Sequence, residues 1–209
     1  MKKINLKKTL VQKIKDFDII IFDLDNTLYS EDNYITPALM EVSKYLKRKI
    51  KISKHVIFKD LKAIKYKKVK IFNVFLKKYN LSKKEYKLVL TKCIKIYQNF
   101  NCLNFKEVKS HKALLQKFYK QKDFFLVTNG NYHRQMRKIK NLKIKKFFKK
   151  IFVLDGKKNK LKPSTKDVKS LLIFLKENKR KKAIYIGDDN LIDRQFSKNL
   201  KISFLRYEF

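Results

Sequence analysis

The chain has no tryptophan, three glycines and two prolines among its 209 residues, and only 18 acidic residues against 55 lysines and arginines. Scarce glycine and proline exclude a collagen-like repeat and a flexible low-complexity linker, both of which depend on those residues. A hydrophobic content of 44% sets aside charge-driven disorder and is enough for the core of one domain, or one domain carrying an insertion. Two cysteines, Cys93 and Cys102, argue against a disulfide framework, and the first residues show no secretory apolar region; a reducing cytoplasm is the expected setting. The apolar run Ile19-Ile20-Ile21-Phe22 stops at Asp23, and no apolar run in the chain exceeds five residues. That is far short of the roughly 20 residues a transmembrane helix needs.

The formal charge is +37. Such a balance attracts polyanions, because each neutralised phosphate releases counterions. Only Arg48, Arg134, Arg137, Arg180, Arg194 and Arg206 are arginines, however, and forked capture of phosphate or of base edges favours arginine over lysine. The lysines also run through the whole chain. Richness in Lys, Ile, Asn, Phe and Tyr is the pattern of an AT-rich coding sequence, so no specific nucleic-acid partner is expected.

The acids carry more information than the bases. Asp16, Asp18, Asp23, Asp25, Glu31 and Asp32 share one short window, and Asp188, Asp189 and Asp193 share another, together half of the 18. Grouped carboxylates in a cationic chain suit a hard cation such as Mg²⁺, which takes oxygen ligands and needs few of them from protein.

Residues 18–24 form an apolar, β-branched run ending in Asp25-Asn26-Thr27, the pattern of a buried strand emptying into a loop. Similar runs lie at 124–127, 151–154, 183–186 and 202–205. Helical patterns separate them at about 107–120, 131–140, 164–178 and 190–198, with Pro163 suited to the first turn of the third. Strands alternating with helices imply an α/β fold with a Rossmann-like, mostly parallel sheet. Residues 34–106 break the rhythm with helical periodicity and no strand, so the expected domains are a core at 1–33 and 107–209 with a helical insertion at 34–106. Within it Ser82 and Glu85 make a capping-box pattern, and Ile71, Phe72, Phe75, Leu76 and Tyr79 fit one apolar helix face.

In an open parallel sheet, ligands bind at the carboxyl ends of the strands. Those ends carry Asp23-Leu24-Asp25-Asn26-Thr27, then Thr128-Asn129-Gly130, then Gly187-Asp188-Asp189 with Asp193 following, and Lys162-Pro163 precedes the last of these strands. This order resembles the haloacid dehalogenase (HAD) superfamily over nearly the whole chain. Gln135, Lys138-Ile139, Leu142 and Phe147-Phe148 after Thr128-Asn129-Gly130 look like subfamily I with a helical C1-type cap, in the group of pyrimidine 5'-nucleotidases and small-metabolite phosphatases.

The resemblance implies a role for each residue. Asp23 would be the nucleophile that forms an aspartyl-phosphate, and Asp25 the acid that protonates the leaving alcohol and then activates water. Thr128 and Asn129 would bind the phosphoryl oxygens, and Lys162 would neutralise charge on them. Mg²⁺ would be held by Asp23, the backbone carbonyl of Asp25 and Asp188, with Asp193 supporting a metal-bound water or orienting Lys162. Asp189 departs from the pattern, where a small residue such as serine is more usual. Because dehalogenases proper lack an acid at the position of Asp25, phosphoryl chemistry is implied over carbon–halogen cleavage. The expected activity is hydrolysis of a small phosphomonoester, a nucleoside monophosphate or a sugar phosphate; the alternatives are a phosphomutase, or a non-catalytic basic module binding nucleic acid or a membrane surface.

Other polar residues have plainer readings. His133 is expected to face solvent, and His55 and His111 lack partners at zinc-ligand spacing. Cys93 and Cys102 read as core residues of the insertion. Tyr29, Ser30, Glu31 and Asp32 fit either a gate or a surface hinge.

Overall fold

The computed structural model describes residues 6–65, 70–102 and 109–207. The chain divides into two compact units, one of Met1–Glu31 with Phe105–Phe209 and the other of Asp32–Asn104.

The first unit is built on five parallel strands, β1 (Ile19–Phe22), β2 (Asp123–Asn129), β3 (Lys150–Leu154), β4 (Ala183–Gly187) and β5 (Ser203–Arg206), in the order β3-β2-β1-β4-β5. The apolar runs in the sequence are these strands. β1 pairs with β2 through Ile19↔Asp123 and with β4 through Ile19↔Ala183, so it is covered along both edges. Its four residues are buried, as a strand packed on both faces requires. Ile19 and Ile21 join Phe125, Val127, Phe152, Tyr185, Val168, Leu171, Phe196 and Leu200 in one core cluster. Phe22 packs edge-on against Phe124 and Phe148, with ring centroids 5.5 and 6.3 Å away. The connecting helices are α6 (Lys109–Phe118), α7 (Tyr132–Asn141), α8 (Lys169–Glu177) and α9 (Ile192–Leu200), and α1 (Leu6–Ile14) precedes β1. Residues 107 and 108 of the first expected helix lie outside the described residues.

One helix differs from its expectation. The third begins not at Pro163 but with a 3₁₀ turn at Lys166–Val168 leading into α8. Residues 160–165 are instead a loop tied down by hydrogen bonds: Lys160 N–H donates to Asp167 Oδ2 at 2.7 Å and Lys162 N–H to Asn129 Oδ1 at 2.9 Å. Lys162 precedes Pro163 through a cis peptide bond.

In the second unit, α2 (Asp32–Ile50), α3 (Lys54–Lys65), α4 (Ile71–Leu76) and α5 (Lys83–Asn99) follow in sequence. Tyr34, Ile35, Ala38, Leu39, Val42 and Leu46 make the buried stripe of α2, at the spacing of one helix face. Pro37 has no N–H for the Asn33 carbonyl, and that carbonyl accepts from Cys102 Sγ at 3.3 Å. Ser82 and Glu85 form a reciprocal capping box at the start of α5. Phe72, Phe75 and Leu76 are buried; Ile71 and Tyr79 are half-buried, and Tyr79 lies past the end of α4. Cys93 is buried and free, and burial pushes its thiol up to about 12, so it is no nucleophile. No helix among the described residues is long and apolar enough to cross a membrane.

Candidate active site

β1 lies where the strand order reverses, and the chain leaves it through a turn held by Leu28 N–H donating to Leu24 O at 3.0 Å. Asn26, at φ 56, sits in the left-handed region that asparagine tolerates. Asp23 and Asp25 leave this turn into two different environments.

Asp23 faces charge. Its Oδ1 is 2.6 Å from Lys162 Nζ, which also donates to Asp193 Oδ1 at 2.7 Å and to Tyr185 Oη at 2.8 Å. Tyr185 Oη donates in turn to Asp193 Oδ1 at 3.1 Å. One carboxylate oxygen from each of Asp23, Asp188 and Asp193 can be chosen so that all lie within 4.8 Å of one another. Burial pushes Asp23 up to about 7; Lys162 opposes this, and the charges of Asp193 and Asp25 add to it. Asp188 is pushed up to about 6 by burial and by Asp193, with a hydrogen bond from the Asn26 side chain opposing. Lys162, between two carboxylates, is held above its usual value although burial alone would lower it.

Asp25 faces donors. Lys138 Nζ lies 2.7 Å from its Oδ1, Tyr29 Oη also donates to Oδ1, and Gln135 Nε2 donates to Oδ2 at 2.9 Å. Burial alone would raise Asp25, but Lys138 and these hydrogen bonds outweigh it and hold the carboxyl below its usual range. Lys138 is itself pushed down by burial.

The other predicted residues are placed by the strand ends. Thr128 is buried with Oγ1 2.7 Å from Gln135 Nε2, and Asn129 holds the backbone of Lys162. Gly130, at φ 141, turns the chain from β2 toward α7, whose N-cap Asn131 accepts from Arg134 N–H at 3.1 Å. A Cβ at Gly187 would lie 2.3 Å from Asp193 Oδ2, so only glycine fits there. Asp189 is turned to the backbone: its Oδ1 accepts from the N–H groups of Leu191 and Ile192 at 2.8 and 2.9 Å, shaping the start of α9. His55 and His133 are exposed, and His111 Nε2 is 3.0 Å from Tyr207 Oη. No group of three metal-ligating side chains among the described residues includes a histidine or cysteine.

Gln135, Lys138 and Tyr185 were not among the residues the sequence marked as functional. Gln135 and Lys138 stood out only as part of a pattern after Thr128. Their spacing of three on a helix that starts at a strand end is the signal that both face one point.

Fold and site together define a doubly wound parallel α/β protein with a lysine-balanced carboxylate centre at its switch point. Residues 20–207 match the haloacid dehalogenase-like hydrolase family, and the chain belongs to it. Among solved structures it is similar to YfnB, a HAD-hydrolase of Bacillus subtilis crystallised with magnesium, at 17% identity and TM-score 0.61, covering 91% of this chain and 86% of that one. It is also similar to a Clostridium difficile protein described as a phosphatase, at 17% identity and TM-score 0.66, covering 93% and 87%. L-2-haloacid dehalogenase of Xanthobacter autotrophicus shares the fold at 12% identity and TM-score 0.52, covering 91% and 77%. A search of curated proteins finds no match.

Proposed function

We propose that this hydrolase is a Mg²⁺-dependent phosphatase of a small phosphomonoester, acting through an aspartyl-phosphate on Asp23. The observation that carries the reading is the opposite treatment of two carboxylates two residues apart. One is set among acids with a lysine beside it, and the other is enclosed by hydrogen-bond donors. Lys162 and a cation at the carboxylate cluster would keep Asp23 ionised for attack despite its burial, while Asp25, outside that cluster, is left to carry the proton.

The residues present fit magnesium. Asp23, Asp188 and Asp193 offer oxygen only, and Asp23 and Asp188 are both pushed up by burial and by the negative charge of Asp193, which a bound cation would offset. Asp23 and Asp188 would hold the ion with the backbone carbonyl of Asp25. When bound, Mg²⁺ neutralises the repulsion between carboxylate and phosphate.

The chain does the rest. Lys162 holds Asp23 Oδ1 and faces the phosphoryl charge. Thr128 Oγ1 accepts from Gln135, which leaves its own O–H to donate to a phosphoryl oxygen. The phosphoryl group brings negative charge beside Asp25 and favours its protonated form, which protonates the departing alcohol. The resulting carboxylate then takes a proton from the water that cleaves the aspartyl-phosphate. The helical unit is proposed as the cap that selects the leaving group, and the diffuse positive charge would draw in anionic substrates.

Phosphate release from a panel of nucleoside monophosphates and sugar phosphates, with and without Mg²⁺, tests the reading. Mg²⁺-dependent turnover, nucleoside monophosphates first, is expected. No turnover of any substrate by folded protein overturns it.

A further inference from the structure

Asp25 has a more elaborate setting than a proton carrier requires. Its Oδ1 accepts from both Lys138 Nζ and Tyr29 Oη, which uses the two lone-pair directions of that oxygen. Its Oδ2 accepts from Gln135 Nε2, leaving one direction open. Lys138 and Gln135 lie three residues apart on α7 and are both fully buried, with exposures of 1% and 0%. The Asp25 side chain keeps 21% exposure, so it is the partner in the ion pair that other molecules can reach.

The orientation of the Gln135 amide is fixed by what surrounds it. Nε2 faces Asp25 Oδ2, Thr128 Oγ1 at 2.7 Å and Asn129 O at 3.2 Å. Turning the amide over would set Oε1 against a carboxylate and a carbonyl. The amide keeps its orientation even though Oε1 is then buried without a hydrogen-bond partner among the described residues. Leaving a buried acceptor unpaired costs stability, so the contacts of Nε2 with Asp25, Thr128 and Asn129 together outweigh that cost.

We infer that Lys138 and Gln135 are positioning residues that lock the Asp25 carboxylate so that Oδ2, and not Oδ1, exchanges the proton with the leaving group. The inference rests on the phosphatase reading above. In the first step an Asp23 oxygen bonds to phosphorus as the ester P–O bond breaks, and the Oδ2 proton passes to the leaving oxygen, which departs as alcohol. In the second step a water oxygen bonds to phosphorus, the Asp23–phosphorus bond breaks and the water proton returns to Oδ2. Lys138 and Gln135 stay in place throughout.

The test compares kcat/KM for p-nitrophenyl phosphate, whose leaving group departs without a proton, and glycerol 2-phosphate, whose leaving group needs one. Lys138→Met is expected to lose about 10²-fold or more on glycerol 2-phosphate and less than about tenfold on the aryl ester, because only the former draws on general acid catalysis. Gln135→Met keeps the Lys138–Asp25 pair and is expected to show the same split at about tenfold; it decides the matter if Lys138→Met does not fold by circular dichroism. Equal losses on both substrates, or none, in folded variants overturn the inference and leave the phosphatase reading standing. A wild-type protein inactive on both esters and on the wider panel overturns that reading and this inference with it.

Discussion

The two compact units bury different things. In the unit that carries the sheet, Asp23, Lys138, Lys162 and Asp193 are all buried, gathered where β1, β2 and β4 end. In the helical unit the described buried side chains are apolar or aromatic, apart from the hydroxyl of Ser43, which donates to Leu39 O at 2.8 Å, and the two cysteines. Tyr34 marks the contrast: its ring packs edge-on against Tyr97 and Phe100, and its hydroxyl donates to the Tyr97 carbonyl at 2.8 Å. Burying an ion costs several kcal/mol unless it is paired and hydrogen-bonded. The sheet unit accepts that cost at one end only, and the helical unit avoids it. The stability of the first therefore depends on ions and protons as well as on its apolar core, whereas that of the second depends on packing.

Four measurements can break or sharpen the contrast. The largest effect is expected from Asp23→Asn, which removes the proposed nucleophile: kcat should fall by about 10⁴-fold or more, with the fold retained by circular dichroism. Lys162→Met leaves Asp23 and Asp193 without their shared cation and should cost roughly 3–5 kcal/mol in urea unfolding. Mg²⁺ should return part of that loss, since a second cation can serve the same carboxylates. Leu39→Ala, in the fully buried stripe of α2, should cost roughly 2–5 kcal/mol through the cavity it opens. Here Mg²⁺ should return nothing, and a Mg²⁺ rescue equal to that of Lys162→Met would dissolve the distinction between the units.

The smallest effect is in pH. Asp23, at about 7, and Asp188, at about 6, must give up protons before they can bind a cation. Apparent Mg²⁺ affinity, followed by calorimetry, should climb from pH 6 to pH 7, by at most about tenfold per unit for each proton displaced, and level off above. For stability without metal the sign is reversed from the common carboxylate case. The native state keeps protons that the unfolded chain has already released, so these two groups lower stability as pH rises from about 4 to about 7. An affinity flat across pH 6–7 would mean that these carboxylates do not hold the ion.

The sheet was legible because its strands are short β-branched runs that stop abruptly at polar loops. The capping box of Ser82 and Glu85 was legible because the chemistry is local. Lys138 was not. With lysine making up nearly all of the 55 cations, one buried lysine cannot be told from its exposed neighbours by type. Tyr185 was hidden likewise, since in an apolar strand it reads as core, and its ring is core; only its hydroxyl reaches Asp193. Pro163 misled for a different reason. A proline before a helical pattern suggests a first turn, but the hydrogen bonds to Asn129 and Asp167 that keep residues 160–165 as a loop come from residues distant along the chain or later in it.

Gly187 bears on how this chain can vary. A coding sequence drifting toward lysine, isoleucine and asparagine would lose glycine codons wherever substitution is neutral; this chain has three glycines. At Gly156 an added Cβ would meet Leu161 at an ordinary 3.4 Å, so that position is open to drift. At Gly187 every substitution drives carbon into the carboxylate of Asp193, so no neutral step leads away from it. Any such drift would stop there.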